Sequence, residues 1–139
     1  MSEFPLPELE WEGTRPFWEA AAREALVIPR CDACAAWVWY PRECCGACQA
    51  EGLTWTPVSG RGTLFTWTVV HHAFAEPFAP LVPYATGLVA LAEDPAVRLA
   101  TLLVDCDPAS LRVDQPVRAL FRRLPYGGRE VVAPLFTPA

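Results

Sequence analysis

The chain has 139 residues, enough for one ordinary domain or for a small metal module joined to a small barrel. It is 53% hydrophobic and only 19% charged, so it is no disordered tail, and its net charge of −5 argues against a general nucleic-acid binder, whose affinity comes mainly from neutralising phosphates. All eleven basic residues are arginine, which excludes a lysine Schiff base, a pyridoxal-phosphate enzyme and a phosphate-binding loop ending in Gly-Lys-Ser/Thr on this chain.

The opening stretch, MSEFPLPELEWEG, is acidic where a secretory signal is basic and then apolar, and no apolar run approaches the length of a membrane span. A cytoplasmic protein with no membrane partner is the expectation. Pro5, Pro7 and Gly13 mark an extended arm whose Phe4, Leu6, Leu9 and Trp11 can lie on the body or on another subunit. Thr14 is placed to cap a helix, with Pro16 tolerated in its first turn. Phe17, Trp18, Ala21, Ala22, Ala25 and Leu26 recur at helical spacing while Glu19, Arg23 and Glu24 face away, which predicts a helix packed on the domain and ended by Pro29.

The stretch from Arg30 to Trp55 carries the clearest chemistry. Cys31 and Cys34 form one Cys-x-x-Cys pair, Cys45 and Cys48 a second. Two residues between cysteines let a tight turn aim both sulfurs at one ion, and two such turns complete a tetrahedron around Zn²⁺. Iron is the second choice of metal. Disulfides are disfavoured without a leader, and a redox dithiol needs only one pair. A short hairpin between the pairs is expected, with Trp37, Val38, Trp39 and Tyr40 on its first arm and Pro41 near its turn. A closed four-thiolate site leaves no open coordination position, so the metal's expected role is structural. Cys44 and Cys106 read as bystanders.

After the ribbon the texture changes to alternating strands broken by proline and glycine. Thr63 to Val70 reads as a half-buried strand, with Phe65, Trp67 and Val69 on one face and Thr66 and Thr68 on the other. His71, His72 and the segment AFAEPFAPLVPY form a loop before strands at Tyr84 to Ala92, Val97 to Val104, Pro116 to Leu124 and Arg129 to Pro134. Five strands in a meander-like order with one long loop fit a small barrel, and the OB-fold is the five-stranded candidate. The fold class is therefore mainly β: an N-terminal arm and helix over residues 1–28, a zinc ribbon over 29–55 and a five-stranded OB-fold barrel over 56–139.

These motifs resemble a known family, long catalogued as a domain of unknown function, in which a helical arm and a rubredoxin-like zinc ribbon precede an OB-fold. The resemblance rests on Arg30-Cys31-x-x-Cys34, Pro41-Arg42 before Cys45-x-x-Cys48, Ser59-Gly60-Arg61-Gly62-Thr63 leading to Trp67-Thr68-Val69-Val70, Pro83-Tyr84 and Gln115-Pro116-Val117. It implies an accessory partner of thiolase-fold (lipid-transfer-protein-type) subunits acting on acyl-CoA, including acetoacetyl-CoA and hydroxymethylglutaryl-CoA machinery and the aldolases that shorten steroid side chains. Other members are fused to hydratase-like subunits. Ala35, Gln49 and Asp114 stand where the family usually has glycine, and Gly46 where it has proline.

On this reading Zn²⁺ is a structural cofactor, acyl-CoA is a ligand of the complex, and no residue of this chain is catalytic. Arg61, Trp67, His71, His72, Phe74, Phe78 and Tyr84 are the candidates for contact with the partner or with acyl-CoA. The runner-up is an OB-fold that binds single-stranded nucleic acid through Arg118, Arg122, Arg123 and Arg129 with Trp67 for stacking, against which the acidic balance weighs. A third reading uses His71 and His72 as acid and base with Tyr84 or Glu76, but adjacent residues on a strand end point to opposite faces. One histidine is then expected against the barrel and the other in solvent or an interface. The surplus of aromatic residues, with the arm Phe4 to Trp11 and the tail Val131 to Phe136 at the chain ends, points to a covered surface.

Overall fold

A computed structural model describes residues 6–126 and 128–139. Phe4, expected in the partner-covering arm, lies outside the described residues.

Helix α1 spans Arg15–Ala22. Pro16 fits its first turn because an N–H there would have no intrahelical acceptor. Thr14 precedes the helix but does not cap it through its side chain; its hydroxyl donates to the Glu8 carbonyl at 3.0 Å and ties the arm down. Ala21 is buried and Glu19, Arg23 and Glu24 are exposed, as the periodicity predicts, but Ala20 is buried in place of Ala22, which is exposed because the helix ends there and the apolar stripe is not carried into another turn. The helix stops about one turn early. The Arg23 and Glu24 amides donate to the Ala20 and Ala21 carbonyls, and Glu24 takes φ 58°, which turns the chain out of helical geometry. Ala25 and Leu26 therefore lie beyond the helix, and Pro29 sits within the next strand instead of ending α1.

Strands β1 (Val27–Cys31) and β2 (Leu53–Pro57) pair antiparallel, with Pro29 opposite Trp55 and Cys31 opposite Leu53. In a two-stranded ribbon each strand keeps a free edge, so a proline is accommodated. This hairpin flanks the cysteine pairs. Among the described residues, the hairpin expected between them is absent; Trp37 bridges back to Arg30, across the first pair. The stretch from Trp37 to Pro41 is drawn toward α1 instead: Trp39 packs at 5.5 Å from the Phe17 ring and stacks on Tyr40 at 5.2 Å.

The remaining strands are β3 (Arg61–Val70), β4 (Tyr84–Leu91), β5 (Arg98–Leu103), β6 (Pro116–Tyr126) and β7 (Arg129–Pro138). They close as β3-β4-β5-β7-β6, with β6 returning to β3, so the barrel is not a meander. This is the five-stranded Greek-key arrangement of the OB-fold. Leu64, Val89, Leu91, Leu99, Val117 and Phe136 fill the inside. A bulge between Leu64 and Thr66 adds one residue to β3. The inward parity thereby shifts from Gly62 and Leu64 to Trp67, and Phe65, expected beside Trp67, is left 41% exposed.

The tail from Val131 to Phe136 is not a free arm. It lies in β7, which pairs with β6 from Arg129 to Pro138, and α1 packs on β7. With both faces covered, Val131, Ala133, Leu135 and Phe136 are all buried. Among the described residues, no helix is long and apolar enough to cross a membrane.

Candidate functional site

The sulfurs of Cys31, Cys34, Cys45 and Cys48 all lie within 4.8 Å of one another. Two edges of the cluster measure 3.6 Å (Cys31 to Cys48) and 3.7 Å (Cys34 to Cys45). Zn–S bonds of about 2.3 Å in a tetrahedron put sulfurs about 3.8 Å apart, so the cage fits the ion. Each pair is carried by the same knuckle. The Ala35 amide donates to the Cys31 carbonyl and the Gln49 amide to the Cys45 carbonyl, both at 2.9 Å. The Cys31 and Cys45 amides in turn donate to the Ala36 and Ala50 carbonyls, both at 2.8 Å. Closing each knuckle forces φ 63° on Ala35 and 66° on Gln49, the left-handed conformation that makes glycine usual there.

The donor set also calls for a cation. The Cys34 amide pulls the Cys31 thiol below its ordinary range, and the Cys48 and Ala47 amides pull Cys45 down to about 7. Cys48 is opposed. The Ala50 amide favours its thiolate, but the sulfurs of Cys31 and Cys34 and its burial push it up to about 12. Four sulfurs this close cannot all carry charge without a positive ion between them, and a divalent metal removes the conflict. Cys44 lies outside the cluster, its thiol 3.9 Å from Gln49 Oε1, and Cys106 packs at the edge of the barrel core.

The other candidates fall into two groups. His71, His72, Phe74 and Phe78 lie in the long loop between β3 and β4, Tyr84 opens β4, and Trp67 lies in β3. His72 meets Phe74 edge-on at 4.7 Å, and Phe78 lies 5.9 Å from Tyr84. Phe74 is 96% exposed. Both histidines are exposed, so neither packs against the barrel as expected; β3 ends at Val70, and both stand just beyond its last paired residue. Trp67 packs partly into the core. Arg61 stands apart. It opens the ten-residue β3 while the loop follows its end, so roughly 30 Å of strand separates them.

The arginines of β6 are not gathered into a groove. Arg122 is paired with Asp105, Arg123 with Glu130 at 3.5 Å, and Arg118 sits opposite Arg61. The second and third strands of an OB-fold form its usual ligand face. Here they are β4 and β5, which present Thr86, Leu88, Ala100 and Leu102 with Arg98 as the charged residue. That surface is too apolar for a phosphate backbone.

One feature escapes periodicity. A groove of about 510 Å³ lies between β5 and β7, walled by Phe17 and Trp18 of α1 and by Trp39 and Tyr40 of the ribbon. Each aromatic pair is visible in sequence, but nothing local says that the helix, the ribbon and two strands meet.

Comparison with known proteins fits this architecture. Residues 18–54 match the model of the ChsH2 rubredoxin-like zinc ribbon domain, and residues 55–122 that of the ChsH2 C-terminal OB-fold domain. A DUF35 domain-containing scaffold protein of Methanocaldococcus jannaschii is 32% identical over 112 residues, covering 79% of this chain and 77% of the relative. A probable enoyl-CoA hydratase alpha subunit of Thermomonospora curvata is 33% identical over 124 residues, covering 88% of this chain; the chain spans only 37% of that relative. Among solved structures, a chain of the Ltp2-ChsH2(DUF35) aldolase superposes with a TM-score of 0.84 at 29% identity, covering 96% of this chain and 98% of the other.

Proposed function

Because the chain belongs to the DUF35 family, with a ChsH2-type zinc ribbon followed by a ChsH2-type OB-fold, we propose that it is a non-catalytic accessory subunit that binds and stabilises a thiolase-like enzyme acting on acyl-CoA thioesters. The observation that carries this reading is the end-to-end similarity to a chain of the Ltp2-ChsH2(DUF35) aldolase. The names of the relatives, a hydratase alpha subunit and a scaffold, support it. A lipid or sterol side chain is the class of acyl group that an aldolase partner implies.

Two surfaces serve this role. The loop from His71 to Tyr84 offers Phe74, His71 and His72 to the partner, backed by Phe78, Tyr84 and Trp67. At the other end of β3, Arg61 faces Arg118 across the ladder. Like charges directly opposite repel, and a CoA phosphate between them would relieve the repulsion. The zinc centre, with four protein ligands, holds the ribbon and performs no chemistry.

The test is to purify this chain and its thiolase-like partner separately and together, and to assay acyl-CoA cleavage and condensation in all three samples. A stable complex, with turnover confined to samples containing the partner and higher when this chain is present, is expected. A partner equally soluble and active without this chain, or turnover by this chain alone, would overturn the reading.

A further inference from the structure

The barrel is closed between β5 and β7 by one parallel pair, Leu103 with Phe136, together with the Val104 amide donating to the Phe136 carbonyl at 2.9 Å. Continuing this ladder toward Arg98 requires the next N–H on the same side of β7, two residues back. That residue is Pro134, which has none. Pairing stops there and the seam stays open.

The free side of β5 follows from its pairing with β4. The Leu91 amide donates to the Val97 carbonyl at 3.0 Å, and the register runs from Ala90 opposite Arg98 to Ala85 opposite Leu103. Leu99, Thr101 and Leu103 therefore exchange hydrogen bonds with β4, and the amides of Arg98, Ala100 and Leu102 point toward β7. In the β5–β7 register the Leu102 amide faces the Pro134 carbonyl, whereas the Ala100 carbonyl faces the Pro134 nitrogen and gains no ladder donor from β7. Among the described residues, Arg98 has no carboxylate partner; its guanidinium lies 3.8 Å over the Phe65 ring. The groove runs along this edge and onto the outer face beside it: consecutive residues of β5 and of β7 line it, together with Thr86 and Leu88 of β4.

We propose that the seam receives an extended segment of a partner polypeptide, which adds to the β5 edge as a strand, buries apolar side chains against Trp39 and Phe17 and sets a carboxylate against Arg98. The partner is the acyl-CoA enzyme subunit inferred above, and the proposal rests on that reading for the source of the segment. A strand supplies a backbone N–H donor for the Ala100 carbonyl. An acyl chain in the same groove would cover that carbonyl without a partner, which is unfavourable. Arg98 as the groove's charged residue selects an acidic segment.

The experiment is a titration of the isotope-labelled chain with a blocked short peptide of alternating valine and threonine carrying one glutamate, followed by amide shifts. Shifts centred on Ala100 and Thr101, whose shared peptide group carries the Ala100 carbonyl, with binding weakened about tenfold by Arg98→Glu and by exchanging the peptide's glutamate for lysine, are expected. The same peptide with N-methylated backbone amides should not bind. Equal binding of the methylated peptide, no seam shifts with the unmodified one, or seam shifts with octanoate in place of the peptide would each overturn the proposal. The isolated chain suffices, so this outcome is separable from the accessory-subunit reading. A complex that forms although peptides leave the seam untouched sinks only the seam, whereas seam binding without any acyl-CoA partner sinks only the function.

Discussion

Leu103 sits opposite Phe136 in the one parallel pairing recorded between β5 and β7 among the described residues, and Phe136 is 1% exposed. Closure of the barrel thus depends on a side chain three residues from the end of the sequence. Phe136→Ala should cost about 3–5 kcal/mol, as large buried truncations do. Removing residues 131–139 should abolish folding rather than merely detach a partner, because it deletes most of β7. Circular dichroism and thermal melts decide this; a cooperative transition in the truncated chain would contradict it.

The chain should hold one zinc ion. Cys31→Ser, Cys34→Ser, Cys45→Ser and Cys48→Ser should each lose metal and melt at lower temperature, since the ribbon has only a small core around Cys31, Val38 and Cys45. Cys44→Ser and Cys106→Ser should retain full metal content in elemental analysis. Metal loss should also follow acidification, because protons compete with the ion for thiolates.

Ala35→Gly should raise stability by about 1 kcal/mol. At φ 63° the methyl group is strained, and relief of that strain outweighs the larger unfolded-state entropy of glycine. Gln49→Gly should gain less, because it also removes the side-chain Nε2 that donates to the Gly46 carbonyl at 3.4 Å. Denaturant melts of the zinc-loaded proteins provide the comparison, and destabilisation by Ala35→Gly would contradict the strain argument.

Cys106 should be the slow thiol. Its burial, helped by the charges of Asp105 and Asp107, pushes its pKa above the ordinary thiol range. The folded state therefore holds the proton over a pH range in which the unfolded chain has released it. The stability this contributes is full below the unfolded thiol pKa, about 8.5, and is lost as pH rises through the raised folded value. At pH 8 a disulfide reagent should modify Cys44 before Cys106 in the zinc-loaded protein, and denaturant should remove the difference. Cys106→Ser should flatten the loss of stability above pH 9.

Labelled single-stranded DNA or RNA should show no micromolar binding by anisotropy, even at low salt. The β4–β5 face is apolar, Arg122 and Arg123 are committed to Asp105 and Glu130, and the net charge is −5. Binding that weakens steeply with added salt would favour the nucleic-acid reading.

Local spacing alone determined the metal centre. Two Cys-x-x-Cys turns encode their own geometry, whereas the left-handed strain at Ala35, Gln49 and Asp114 was legible only through the family resemblance, as a departure from its usual glycine. Alternation and turn residues likewise located the five barrel strands to within a few residues, because period and punctuation are properties of neighbours in sequence. Tertiary contacts decided the rest. The ribbon's hairpin formed outside the cysteine pairs because β1 found β2 across the whole knuckle region, and Pro29 was absorbed at a free edge. The bulge after Leu64 moved Phe65 out of line with Trp67. The apolar tail, which reads equally well as an arm, became a core strand because α1 covers its second face. The seam could not be read at all: the missing N–H of Pro134 matters only once β5 lies beside β7, and strands so distant in sequence are brought together by packing, which no local pattern records.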